Sequence, residues 1–332
     1  MKQTFDISWE TIAKILTAVL GIWLLWLIRD VLALFFIIAV AVAALAPVVD
    51  RWSERIPRLL AVVLVYLIII AILSIAGLLI VPPLVHEVSQ LSLSFPDYFG
   101  KLGSAFGGLG SALGFSVEQL QTVASGLANI TSRVYSGAVG VIGSIIGFFT
   151  IAVVTFYLLL EKRGLRNLIA SYLPVKLRAK FTALLHEIGL KMGGWLRGQL
   201  LLALVVGIIQ FIGFVIIGVP FALTLGVWAA FTEIIPYIGP VLGVIPALLV
   251  AFADAPIKAL FVLILFVVVQ QLEANFLVPK IMSKAVGLSP VVIIFAILVG
   301  ARLGGIIGVI VAVPAAAAIS VLVKEYERHL KG

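Results

Sequence analysis

A bilayer-grade apolar run opens at Gly218, GVPFALTLGVWAAFTEIIPYIGPVLGVIPALLVAFAD, and is broken at its middle by Glu233, Pro236, Gly239 and Pro240. Inside a bilayer every backbone polar group needs an internal partner. A carboxylate and irregular backbone therefore survive at membrane depth only where they are buried in protein or line a cavity. This constrains the chain to a polytopic helical fold with an interrupted segment, and it marks the interruption as a candidate transport site. Composition agrees, since 63% of the residues are hydrophobic and 11% charged, more apolar surface than a soluble domain can bury. Cysteine is absent, which excludes disulfides and thiolate metal sites.

Hydrophobic runs long enough to cross, at about 20 residues per span, occupy 10–28, 31–49, 59–81, 136–160, 200–217 and 259–278. The first has no cleavage site and another span follows at once, so it reads as an uncleaved helix. The net charge of +8 comes from Lys and Arg in loops beside spans, which argues for topology signals and against nucleic-acid binding. Arg51, Arg55 and Arg58 fall in one such loop, and Lys176, Arg178, Lys180, Lys191 and Arg197 in another. The positive-inside bias then places both termini in the cytoplasm. The expected organisation is a three-helix membrane segment over 1–81, an external helical subdomain over 82–135, a fourth span with a basic cytoplasmic segment over 136–199, a transport core over 200–323, and a cytoplasmic tail over 324–332.

Within 82–135, Ser116 with Gln119 reads as a capping box, while the Asn129-Ile130-Thr131 sequon reads as a chance triplet. In the basic segment Pro174 can open an amphipathic helix carrying Leu177, Phe181, Leu184, Leu185 and Ile188, suited to the headgroup layer or to the protein's own inner face.

The core contains a pair of matched segments. After the span 200–217, the arms 221–232 and 241–253 are each too short to cross; after the span 259–278, the run 291–323 is interrupted between Gly300 and Gly305. Gly218 and Pro220 open one unit and Gly287 and Pro290 the other, and they close on Pro246-Ala247 and Pro314-Ala315. Each unit either crosses as a kinked helix or returns as a re-entrant hairpin. Lys280 and Lys284 against Asp254 and Lys258 favour the hairpins under the positive-inside bias. The fold expected is all-α and polytopic, with about six full transmembrane helices plus two broken or hairpin segments forming an inverted repeat. Paired interruptions of this kind point to a midplane binding site in secondary transporters.

Three features could carry chemistry. Glu233 lies beside Pro236 and Pro240, which free carbonyls upstream; a carboxylate there can bind a cation, take a proton or accept hydrogen bonds from a solute. The run QQLEANFLVPK, closed by Pro279, places Gln271 and Asn275 on one helix face and Gln270 with Glu273 on the adjacent one. Arg302, with Gly304 and Gly305, is the lone cation of the second broken segment, and burial would require Glu233 or Glu273 as its partner. His86, His186 and His329 are scattered without metal-ligand spacing. No HExxH, GxSxG, P-loop or nucleotide fingerprint occurs, so no metal or cofactor site is expected and primary ATP-driven transport would need another subunit.

At these residues the chain resembles the autoinducer-2 exporter family, the PerM-like permeases. The resemblance rests on Phe156-Tyr157-Leu158-Leu159 leading to Leu173-Pro174, Trp195-Leu196-Arg197-Gly198-Gln199, Gly218-Val219-Pro220, Glu233 through Pro240, Gln271-Leu272-Glu273 with Pro279, and Gly287 through Pro290 followed by the glycine-rich segment to Pro314. It implies export of small polar solutes such as autoinducer-2 in some members, and sodium or lithium exchange for protons in others. It also implies a bacterial inner membrane and a homo-oligomer such as a pentamer. Many members carry a histidine where this chain has Ser289. A channel or scaffold is the reading from another class, but a channel calls for a continuous polar stripe along a spanning helix, whereas polarity here gathers at breaks and helix ends.

Overall fold

The computed structural model describes residues 9–106, 147–161, 171–282 and 287–331, and these are helical, with no strand among them. In chain order the helices are α1 (Trp9–Leu27), α2 (Arg29–Trp52), α3 (Arg58–Phe106), α4 (Gly147–Leu160), α5 (Val175–Ile217), α6 (Ala222–Thr232), α7 (Ile238–Asp254), α8 (Pro256–Leu272), a π-helical turn (Glu273–Leu277), α9 (Val278–Met282) and α10 (Pro290–Lys331). Among the described residues five stretches are long and apolar enough to cross a bilayer: Arg29–Trp52, Arg58–Leu91, Leu177–Ile217, Pro256–Met282 and Ile307–Arg328. The chain is an all-α, multi-pass membrane protein, and the many outward Leu, Ile, Val and Phe side chains are what a lipid-facing surface requires.

Two boundaries differ from the sequence reading. The third helix does not stop at 81 but runs on through Pro82 and Pro83 to Phe106. The amphipathic segment after Pro174 and the span 200–217 are one continuous helix of 43 residues, so the separate helix in the headgroup layer is not formed. Pro174 does open it, at the N-cap, where a missing N–H costs nothing. The Ser116–Gln119 cap, the Asn129 sequon, the start of the fourth run at 136–146 and Lys284 lie outside the described residues.

Helix α5 is the mast of the fold. Towards its C-terminal end, Phe214 packs with Val219, Leu225, Val244, Ala247 and Val250 of the first interrupted unit. Towards its N-terminal part, Trp195 packs with Ile297, Ala312, Val313 and Ala317 of the second. Between them Leu202 and Val206 meet Val269 of α8, with Leu277, Val278 and Met282 beside them. A separate cluster of Val49, Ala61, Val62, Val65 and Leu159 joins α2, α3 and α4. It is tied by Arg58, whose Nη1 donates to Asp50 Oδ1 at 2.6 Å and whose Nε donates to the Leu159 carbonyl at 2.6 Å.

Both interrupted units fold back on themselves. In the first, a Cβ on Gly243 would meet Thr232 Oγ1 and Ala229, and a Cβ on Gly239 would sit on the Thr232 carbonyl, so α6 and α7 touch backbone to backbone near their junction. In the second, α10 breaks at Gly304 (φ −138°) and Gly305 (φ 57°), and Gly300 and Gly308 each approach the other's carbonyl. These are helical hairpins rather than single kinked helices. They enter alike, since Gly218 (φ 74°) and Gly287 (φ 60°) both take the left-handed conformation shortly before Pro220 and Pro290, a geometry that glycine reaches without the Cβ penalty.

Helix α2 shows how a proline inside a span is accommodated. Pro47 cannot donate to the Ala43 carbonyl one turn earlier. Arg197 Nη1 on α5 takes that carbonyl at 3.1 Å and Ala44's at 2.7 Å. Gly193, one turn before Arg197, lets the two backbones meet, because a Cβ there would overlap Ala43.

Candidate functional site

The tip of the first hairpin is built from irregular backbone. Helix α6 ends at Thr232, and the Ile235 N–H returns to the Thr232 carbonyl at 2.9 Å. Tyr237 adopts φ 65°, ψ −41°, with the Ile238 N–H on the Pro236 carbonyl at 2.8 Å. This is a γ-turn of the rarer, positive-φ form, which is strained for a residue with a side chain. Pro236 fixes the chain entering the turn. Gly239 and Pro240, both buried, lie in the first turn of α7, where any side chain at 239 would strike Thr232.

Glu233 sits inside this tip at 1% exposure. Its carbonyl accepts a hydrogen bond from Nε2 of Gln199, a buried side chain of α5. Its carboxyl faces that of Glu273, within hydrogen-bonding range once a proton lies between them. Glu233 Oε2 is otherwise enclosed, with no donor among the described residues. Gln270 Nε2 donates to Glu273 Oε2 at 3.1 Å from the other side. Two carboxylates facing each other, one of them fully buried and the other half-buried, repel unless one positive charge is held between them. The arrangement can hold a shared proton or a small monovalent cation.

Glu273 reaches this place because α8 changes pitch there. Pro279 cannot donate to the Asn275 carbonyl, and the Val278 N–H instead bonds back to the Glu273 carbonyl, closing a π turn over Glu273–Leu277. Such turns are rare and recur at functional sites.

The structure sorts the sequence-predicted residues. Glu233, Pro236, Gly239 and Pro240 form one tip, and Gln270 with Glu273 is brought to it. Gln271 and Asn275 share a face as their spacing requires, but they are exposed and bond each other, Asn275 Nδ2 lying 3.1 Å from Gln271 Oε1. Arg302 is exposed in the last turn before the second hairpin's bend, and among the described residues no ion pair joins it to an acid. The intramembrane pair expected with Glu233 or Glu273 is therefore not formed: at the bend the side chain turns outward and needs no buried partner. Pro220, Pro290, Gly304 and Gly305 lie at hairpin entrances or bends, and Pro246 and Pro314 lie within second arms.

Sequence reasoning assigned no role to Gln199, Trp228 or Glu87. Pro246 leaves the Leu242 carbonyl without its helical donor, and Trp228 Nε1 supplies one at 3.0 Å across the hairpin. Glu87 of α3 accepts from the Thr224 N–H at 2.8 Å and from Thr224 Oγ1 at 2.7 Å, capping the free end of α6 with a carboxylate that suits the helix dipole. Lys258 Nζ closes the hairpin's base, donating to the Gly218 carbonyl at 2.6 Å and to Asp254 Oδ2 at 2.7 Å.

A family model described as AI-2E family transporter matches residues 15–328. The chain is 32% identical over 299 residues to "Putative transport protein YueF" of Bacillus subtilis, covering 86% of this chain and 81% of that protein. It is 29% identical over 320 residues to "Putative transport protein YrrI" of the same organism, covering 91% and 89%. To "Putative permease PerM" of Escherichia coli it is 27% identical over 291 residues, covering 82% and 78%.

Proposed function

The chain belongs to the AI-2E family of membrane transporters, and from that premise we propose that it is a secondary transporter exporting a small polar organic solute of the autoinducer-2 kind. In this reading the Glu233–Glu273 pair holds the coupling proton or cation. The observation that carries it is the meeting of these two carboxyl groups at the tip of a broken hairpin, braced by Gln199 and Gln270. A charge held there and later released would alter how the tip sits against α5 and α8, which is what coupling requires.

A second reading, exchange of sodium or lithium for protons without an organic solute, is favoured by one observation. Gln271 and Asn275, the amides suited to hydroxyl groups, bond each other on the exposed face, while the amides at the tip, Gln199 and Gln270, are engaged with the two glutamates. Purified protein in sealed proteoliposomes with a pH-sensitive dye and an imposed proton gradient separates the two. Collapse of the gradient by external sodium or lithium, lost in Glu233→Gln and Glu273→Gln, would establish cation exchange. For the solute reading, the wild type gives no cation response but moves hydroxylated metabolites, and both variants lose at least ~10-fold in rate, the consequence of about 1.4 kcal/mol in the coupling step. If either glutamine variant transports at the wild-type rate, the pair has no coupling role. The bacterial inner membrane, cytoplasmic termini and homo-oligomeric assembly belong to the same proposal.

A further inference from the structure

An open groove of about 550 Å³ runs between α5 and α9. Its surface has two chemistries. Gly194 and Gly198 lie along its α5 side and Leu201 and Ile281 give it apolar walls, while Arg197 and Lys280 line it with two cations. Among the described residues no carboxylate pairs with either cation. Arg197 spends only Nη1 on the Ala43 and Ala44 carbonyls, and its Nε and Nη2 make no bond among the described residues. Lys280 is exposed and unbonded in the same sense.

Depth narrows the occupant. The Pro256–Met282 stretch of 27 residues is ~40 Å long at ~1.5 Å per residue, longer than the ~30 Å hydrocarbon layer. Lys280, two residues from its end, therefore reaches headgroup level, with Leu201 and Ile281 beside it to receive acyl chains. Basic pockets between spanning helices at this depth suit anionic lipid headgroups.

We propose that this groove binds an anionic phospholipid, its phosphate held between Arg197 and Lys280 and its chains laid along Leu201 and Ile281. The site touches the transport machinery at two points. Gly198 precedes Gln199, the side chain that braces Glu233, and lies against Met282 Sδ at the end of α9, so an occupied groove stiffens the support of both glutamates.

The test uses the full chain in detergent, equilibrated with equal phosphatidylglycerol and phosphatidylcholine, with retained lipid counted by native mass spectrometry. The wild type is expected to retain phosphatidylglycerol preferentially, and Lys280→Gln to lower that preference about fivefold, the value of one cation near an anionic surface. Arg197→Gln also removes the bonds to α2 and can fail to fold, so Lys280→Gln decides. Excess glycerol phosphate, which carries the headgroup without chains, is expected to leave the lipid in place. Equal retention of the two lipids, an unchanged preference in Lys280→Gln, or displacement by glycerol phosphate would each overturn the proposal, the last by making the groove a soluble-anion site. The readout is independent of transport, so it stands or falls apart from the coupling role of Glu233 and Glu273.

Discussion

At the scale of single residues, the recurring device is a carbonyl released by proline and claimed by a side chain from another part of the fold. Leu242, freed by Pro246, is claimed by Trp228. Trp228→Phe keeps the ring's bulk and removes the donor, and leaving a poorly solvated carbonyl unpaired costs about 1–3 kcal/mol. Thermal unfolding in detergent should show that loss. In the Pro246→Ala background the backbone N–H at 246 can take the carbonyl, so the same substitution should cost much less; equal costs in both backgrounds would disprove the account. Gly239 offers a sharper case. Its missing side chain is what lets α7 start against Thr232, so Gly239→Ala is expected to displace Glu233 and abolish transport while the protein still reaches the membrane, as measured by export assay and expression together.

At the scale of elements, the first hairpin is held from outside itself, by Glu87 at its entrance and Gln199 at its tip. Glu87→Ala removes both bonds to Thr224, and hydrogen exchange of the amides at the start of α6 should quicken by about fivefold, as expected when a cap worth ~1 kcal/mol is lost. Glu87→Gln keeps an acceptor and should give a smaller change. The glutamates, the prolines and the paired interruptions were legible in the sequence because a charge or a helix breaker inside an apolar run is costly and stands out. Glu87, Gln199 and Arg197 were not, because each acts on a backbone group 34 to 154 residues away, and no local pattern records such a partner. Arg302 misled for a related reason. A lone cation in an apolar run implies a buried partner only if the helix continues past it, and here the chain bends two residues later. The long α5 looks like two segments in sequence because its basic first half and apolar second half differ in composition, although nothing in the backbone breaks it.

At the scale of the whole molecule, the two hairpins pack against opposite parts of one long helix, the arrangement expected of an inverted repeat. If the loop with Arg51 and Arg55 faces the cytoplasm, Ser53→Cys should be labelled by a membrane-impermeant maleimide only in inverted vesicles, and Ala255→Cys only in intact cells. The absence of native cysteine makes the experiment clean, and labelling of both sites from one side would disprove the re-entrant topology. The contact between Arg197 and α2 also bears on how the protein is made. The Ala43 carbonyl enters the bilayer 154 residues before its donor has been synthesised, so the nascent second helix waits with an open backbone acceptor until the fifth arrives. Fragments ending before Arg197 should therefore be degraded when expressed alone, and stabilised when the remainder of the chain is supplied from a second transcript.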